Sequence, residues 1–349
     1  MLDAFGVRVA VLPPDEPTRG RWLGQWSRTL TEHDSRTAEA VVDARVTAPD
    51  ADADRTDYTL ASRVTLAALQ QREGVRMSLH AAGVTDPHGG ALALVAASGT
   101  GKTTAARVLG ARLGYLSDET VSVGADLSVL AYPKPLSVVI DGDQPRHKSQ
   151  HGPDELGLLV APPEATLRGL VLLDRNADHA TTGLELLPLD EALELVLPQV
   201  SFVTSFDAPL LELTRILQAG GGPWLLRYTE IADHVDDLAA LMAAEPGQGE
   251  SFRHHPGRAD APEGPRGLFA RVPWHDAVEV GDSVTVLVAG MSYRLQQLGA
   301  SVWLTLAQPE DLDTLVAASV LRHGEHPDAP RIVQDAVDAL VGSGLVVRL

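Results

Sequence analysis

The chain has no cysteine in its 349 residues. Disulfides, thiolate zinc sites and cysteine nucleophiles are therefore excluded together. No apolar stretch approaches the roughly 20 residues needed to cross a bilayer, and the N-terminus lacks the basic region and apolar core of a signal peptide. Basic charge is scarce: 28 Lys and Arg stand against 47 Asp and Glu, a formal net charge of −19, and little of the basic share is lysine. Such a surface repels phosphate backbones, and no basic stripe stands out. Neither nucleic acid nor a membrane is an expected partner. A cytoplasmic location is the simplest expectation. What remains is 44% hydrophobic, over a length that supports two separate cores.

The most informative stretch runs from Ala96 to Thr104. It follows the apolar segment Ala91-Leu92-Ala93-Leu94-Val95 and leads into a helix-compatible run from Ala105 to Leu113. Strand, glycine-bearing loop, Lys-Thr and helix is the order of a phosphate-binding loop. In such a loop Ser98, Gly99, Thr100, Gly101, Lys102, Thr103 and Thr104 bind the nucleotide. Backbone N–H groups and the helix dipole favour phosphate there, Lys102 reaches the outer phosphates, and the Thr103 hydroxyl takes a place on Mg²⁺. One departure stands out: Ala96 occupies the place of the first loop glycine.

Phosphoryl transfer also needs a metal carboxylate, a base for the nucleophile and positive charge on the transferring group. Asp118 and Glu119 follow Lys102 by 16 and 17 residues, an interval that one helix and one returning strand fill. One acid would hold Mg²⁺ and the other would accept a hydroxyl proton. Alternatively, the pair is a solvated acidic turn. His80 lies one hairpin before the loop strand, beside the γ-phosphate or simply as a structural histidine. Lys134 lies between two prolines, and Arg146 and Lys148 lie in a polar loop over Gly142–Gly152. Each of these reads first as a surface charge. His254-His255 falls in a segment without ordered neighbours and is not taken as a metal site.

The coarse organisation is α/β. Residues 1–79 form an N-terminal segment with strand candidates at Phe5–Leu12 and Val41–Val46, an exposed loop over Thr47–Asp57 and a helical period over Val64–Gln71. Residues 80–244 carry the nucleotide motifs, with strands at Leu79–Ala82, Gly114–Glu119, Val121–Val123, Ser128–Tyr132 and Leu167–Leu173. Helices are expected at Leu189–Val196 and Ile231–Met242. Residues 245–266 have linker composition, rich in Pro, Gly and charge. Residues 267–349 then show strands at Leu268–Val272, Val284–Val288 and Ser292–Leu295, and helices at Ala300–Ala307, Leu312–Leu321 and Ile332–Val341. A short strand closes the chain after Gly344. Three strands and three helices predict a small winged-helix-like α+β module.

Leu79-His80-Ala81-Ala82, the Ser98–Thr103 loop, Gly114-Tyr115-Leu116-Ser117-Asp118-Glu119 and Tyr132-Pro133-Lys134-Pro135-Leu136 occur in the order seen in HPr kinase/phosphorylase-like proteins. Residues 1–244 resemble that family, most specifically over 80–136. The resemblance implies a P-loop domain that binds ATP, with Asp118 as base toward a protein hydroxyl and His80 near the phosphates. Thr166 stands where the true HPr enzymes carry a metal-site glutamate, just before Arg168-Gly169-Leu170. Their C-terminal phosphorolysis signature has no counterpart here.

Trp274-His275-Asp276-Ala277, Tyr293-Arg294-Leu295, Gly299–Trp303 and Leu340–Val346 similarly make residues 267–349 resemble PqqD, a leader-peptide-binding domain of peptide maturation. That resemblance implies strand addition. A leader would lie along Ser292, Tyr293, Arg294, Leu295 and Gln296, facing Val333, Val337 and Leu340, unless those apolar residues only close the domain core. The combined expectation is an ATP- and Mg²⁺-dependent kinase-like protein of ribosomal-peptide maturation. It would bind a precursor leader and phosphorylate a Ser or Thr hydroxyl, or otherwise activate the peptide. Thr103 and Glu119 would hold Mg²⁺, Asp118 would be the base, and His80 or Arg146 would steady charge. The alternative is a catalytically silent nucleotide-binding adaptor that delivers the precursor to partner enzymes. A small-metabolite kinase would leave the second domain without a role. Oligomeric state has no signature in the sequence.

Overall fold

A computed structural model of the chain describes residues 1–32, 37–45, 52–97, 100–139 and 148–349. Its contacts divide into two units. The first comprises Met1–Leu187, Gln199–Phe202 and Ile216–Gly249; the second comprises Pro188–Pro198, Val203–Arg215 and Glu250–Leu349. Two short excursions of the middle chain thus join the second unit, where the sequence places all of 80–244 together.

The first unit opens with a hairpin of β1 (Leu2–Ala4) and β2 (Val7–Leu12), turned by Phe5 and Gly6, both at positive φ. α1 (Glu16–Gln25) begins at Asp15, whose carboxylate accepts from the Thr18 N–H at 2.7 Å. β3 (Ala40–Asp43) lies parallel to β2. α2 spans Ala53–Gln71, capped by Asp52. It is a full helix where the sequence suggests a loop to Asp57 and a helix only from Val64. The acids in its first turns are placed as helix N-termini favour them. Asp57 is also fixed from outside: it is buried and accepts from Arg21, from Trp22 Nε1 at 2.7 Å and from Gln25 at 2.9 Å. Phe5, Trp22, Trp26, Leu60, Val64 and Tyr132 close this core.

The central sheet carries the nucleotide motifs. Its strands are β4 (Met77–Leu79), β5 (Ala81–Thr85), β6 (Gly90–Val95), β7 (Gly114–Ser117), β8 (Val121–Val123) and β9 (Ser128–Leu130). Between β9 and the next sheet strand, β10 (Leu136–Val139) and β11 (Lys148–His151) form a separate hairpin. The sheet continues with β12 (Leu159–Val160), β13 (Ala165–Arg175), β14 (Gly183–Leu186), β15 (Val200–Ser201) and β16 (Trp224–Tyr228). The order is β12-β7-β5-β6-β13-β9-β8-β4-β15, with β16 pairing β13 and β14. β6, β13 and β16 run parallel, and every residue of β6 is buried. That burial explains its unbroken apolar sequence, since a strand covered on both faces has no reason to alternate. α3 (Lys102–Gly110) and α6 (Val235–Ala243) pack on this sheet in one core with Leu92, Leu94, Leu109, Val171, Leu226 and Leu238.

In the second unit, β17 (Arg253–Arg258), β19 (Trp274–Val280), β20 (Ser283–Val288) and β21 (Met291–Gln296) form an antiparallel sheet in the order β17-β19-β20-β21. β18 (Phe269–Arg271) pairs with β22 (Val346–Arg348). α7 (Gln297–Thr305), α8 (Leu312–His323) and α9 (Ala329–Gly342) follow the sheet in the expected order. The sheet has four strands rather than three. β17 lies in the segment read as linker: an edge strand needs backbone pairing but few apolar residues, and it tolerates Pro256. Its histidines are ordered after all. His254 Nε2 meets Asp276 at 2.6 Å, and His255 Nε2 meets Glu279 at 2.9 Å. β19 was hidden because Pro273, His275, Asp276 and Glu279 interrupt its apolar pattern.

The excursions have a visible cause. α4 (Leu189–Val196) sends Asp190 to Ser283 Oγ at 2.7 Å and receives Arg294, which also meets Glu194 at 2.9 Å. Fully buried Asp276 accepts from the Leu210 and Leu211 N–H groups, at 2.7 and 3.2 Å, at the start of α5 (Pro209–Leu217). Arg271 lies 3.7 Å over the Trp303 ring and donates to the Trp303 and Leu304 carbonyls. Burial pulls its pKa down to about 10. No helix among the described residues is long and apolar enough to cross a membrane.

Candidate functional site

β6 delivers the chain to Ala96 and Ala97, and α3 begins at Lys102. Ser98 and Gly99, expected to bind nucleotide, lie outside the described residues. Thr100 Oγ1 donates to the Ala97 carbonyl at 2.6 Å. Gly101 caps the helix at φ +98°, a conformation that strains any residue with a side chain. Lys102 curls back over the loop: its ammonium donates to the Ala96 carbonyl at 2.6 Å and the Ala97 carbonyl at 3.3 Å. Burial holds that ammonium below the ordinary lysine range. Ala96 is not among the residues at positive φ, and its methyl packs into the sheet core. The backbone at Ala96 therefore has no need of a glycine.

The acids arrive on the other side. β7 pairs antiparallel with β5, and a Cβ on its first residue, Gly114, would fall 2.3 Å from Thr85 Oγ1. After β7, the Ser117 hydroxyl accepts from the Glu119 and Thr120 N–H groups at 3.3 and 3.1 Å, which turns the strand end. Asp118 is 3% exposed. Its Oδ2 accepts from the Thr103 hydroxyl at 3.2 Å and the Ser137 N–H at 3.3 Å; its Oδ1 accepts from the Tyr115 hydroxyl at 3.4 Å. The acids are thus not a solvated turn.

Lys134, read as a surface charge, is 1% exposed. Its Nζ lies 2.9 Å from Asp118 Oδ1 and 3.3 Å from Glu119 Oε2, and donates to the Pro135 carbonyl at 3.1 Å. Burial opposes its charge, but the two carboxylates overcome that cost and raise its pKa above the ordinary value. A buried ammonium is tolerable only when its charge and donors are matched, and here two carboxylates and a carbonyl lie within 3.3 Å of Nζ. The Pro-Lys-Pro sequence was its only local signal.

These groups line a cavity of about 750 Å³. Thr100, Gly101, Lys102, Thr103 and Thr104 form one wall, with Asp118, Glu119, Lys134 and Ser137 opposite and Tyr58, His80, Arg107, Lys148 and Arg175 completing it. His80 is half-buried, and burial and then Lys102 hold its imidazole below its ordinary pKa, against a raising influence from Glu119 and Asp118. Arg146 lies outside the described residues. The chain has only three lysines, and all three line this cavity. In a protein that otherwise relies on arginine, that concentration was available in the sequence as a signal.

The residues fit a nucleotide with Mg²⁺. Among the described residues no cluster of three His, Asp or Glu side chains is poised for a metal ion. Mg²⁺, however, is usually held by one or two carboxylates together with substrate phosphates. Thr103 and Asp118 supply that donor set, and Glu119 stands beside them on the cavity. A bound ion would neutralise charge on the phosphate oxygens.

The second unit carries a groove of about 540 Å³, between terminal strand β21 and α9. Ser292, Tyr293, Arg294 and Leu295 line one side; Gly299, Ala336, Ala339, Leu340, Ser343 and Leu345 line the rest. Of the expected peptide contacts, Gln296 lies at the exposed end of β21 outside the lining. Val333 and Val337 do not line it: they are buried in the unit's own core, because α9 turns that stripe toward α7, α8 and β22.

A scan against known protein families finds no match, and neither does a comparison with curated proteins. Among solved structures, the chain is similar to the HPr(Ser) kinase/phosphatase from Coxiella burnetii. The identity is 10%, the TM-score is 0.28, and the match covers 48% of this chain and 93% of that one.

Proposed function

We propose that this chain is an ATP-dependent phosphotransferase that modifies a Ser or Thr hydroxyl of a ribosomally made precursor peptide. The observation that carries the nucleotide part is the meeting of Thr103 with Asp118 at 3.2 Å across a cavity that also holds Lys102. The loop N–H groups and Lys102 bind the phosphates, and Thr103 with Asp118 holds Mg²⁺. Arg107 and Lys148 supply positive charge around the transferring group in a chain of net charge −19. The peptide part is supported by β21, whose outer edge leaves backbone N–H and C=O groups for an added strand, next to a groove floored by small residues. Holding the leader on the same chain as the nucleotide raises the local concentration of the segment to be modified.

The test is to mix the protein, MgATP and a precursor peptide and read the peptide mass. Gain of one phosphoryl group supports the reading. A peptide that binds but gains no mass, with no saturable MgATP binding, would instead identify a silent adaptor.

A further inference from the structure

Asp118 and Glu119 are neighbours in sequence but stand in different surroundings. Asp118 is 3% exposed, and both its oxygens are engaged: by Lys134 and Tyr115 on one, by Thr103 and Ser137 on the other. To take a proton it would have to give up one of these partners. Its bond to the hydroxyl that follows the loop lysine places it where P-loop proteins pair a Ser or Thr with a strand-end aspartate around the metal. The Glu119 side chain is 36% exposed, lines the cavity, and touches Lys134 through Oε2. Lys134 is 1% exposed with both carboxylates within 3.3 Å of its Nζ, so it serves to hold the acids rather than the nucleotide.

We propose that the two acids divide the work opposite to the order implied by the family resemblance: Asp118 belongs to the phosphate and metal end, and Glu119 accepts the proton of the acceptor hydroxyl. This rests on the phosphotransferase reading above. In the step, the acceptor oxygen forms a bond to the γ-phosphorus as the bond from that phosphorus to the β–γ bridging oxygen breaks. The bridging oxygen keeps the electron pair and leaves with ADP, and the hydroxyl proton passes to the Glu119 carboxylate. Glu119 is suited to this because its side chain is 36% exposed on the cavity, where Asp118 is almost wholly covered.

Two measurements on the full chain test the division: titration with a fluorescent ATP analogue with Mg²⁺ or with EDTA, and single-turnover transfer to the precursor peptide. Glu119→Gln is expected to keep Mg²⁺-dependent nucleotide affinity within about threefold of wild type while transfer falls by about 10²–10⁴-fold. Asp118→Asn is expected to bind the analogue equally with Mg²⁺ and with EDTA. Transfer by Glu119→Gln within tenfold of wild type overturns the proposal, as does loss of the Mg²⁺ effect in Glu119→Gln but not in Asp118→Asn. Should Asp118→Asn fail to fold, the two Glu119→Gln readings decide alone. A wild-type protein that transfers nothing would defeat the phosphotransferase reading and the proton role of Glu119 with it, while the Mg²⁺ titration would still decide Asp118.

Discussion

The cavity of the first unit and the groove of the second are built on opposite principles. The cavity is made of charge: Lys102, Lys134 and Asp118 are withdrawn from water, and each is matched by a partner of fixed geometry. The groove is made of what is left out. Gly299, Ala336 and Ala339 provide room, and the strand edge provides backbone groups. A site of matched charges announces itself in sequence, because few residue types can do the work. A site of small residues beside a strand edge does not, since the same residues serve ordinary packing. The contrast also predicts different failures: losing one group should unbalance the cavity, whereas the groove should fail only when it is filled.

The largest effect is expected at Lys134. Lys134→Met leaves Asp118 buried without its cation, a change that costs on the order of 3–5 kcal/mol when a buried pair is broken. Chemical denaturation should show it, and a loss below about 1 kcal/mol would mean that hydroxyl and amide donors suffice for Asp118. Next comes Lys102→Ala, expected to weaken MgATP binding about 100-fold, or about 2.7 kcal/mol, with precursor affinity unchanged. Equal weakening of both ligands would erase the distinction between the two sites.

Filling the groove is the converse. Ala339→Trp, at an exposed position on α9, should weaken precursor binding about tenfold while leaving MgATP titrations at the wild-type value. An unaffected precursor would move the peptide site away from β21.

The smallest effect concerns pH. The His80 pKa is held below its ordinary value of 6.5 by burial and by Lys102, so the unfolded chain takes up this proton first. The stability contributed is complete above pH 6.5 and is lost as pH falls through the folded value. His80→Gln should therefore flatten the acid side of the stability curve, and an unchanged slope would count against a buried, neutral imidazole.

Much of the first unit was legible because its chemistry demands it. The buried strand β6, the Gly101-Lys102-Thr103 turn and the return through Gly114 to Asp118 follow from motif and spacing. α2 was shortened in the reading because its acidic first turns resemble a loop until Asp57 is seen to accept from Arg21, Trp22 and Gln25. In the second unit, the helices and strands β20 and β21 were visible from periodicity. β17 and β19 were not, since β17 mixes histidine with proline and arginine, and β19 mixes histidine with acids, in strands whose pairing is the decisive fact. Likewise Val333 and Val337 carry the right residue type for a groove, but helix rotation sends them into the core.

The sequence alone determined the strand, the Gly101-Lys102-Thr103 turn and the helix that follows it, because that order of residue types has few other uses. It determined as well that the chain lacks thiol chemistry and carries strong negative charge. Only the tertiary structure decided that Lys134 is a buried partner of two acids, and that Asp118 is encased while Glu119 opens on the cavity. It alone joined residues 188–198 and 203–215 to the C-terminal unit through Asp190 and Asp276. The reason is physical. A motif records which atoms a site requires, whereas burial and hydrogen-bond partnership depend on segments that meet only when the chain is folded.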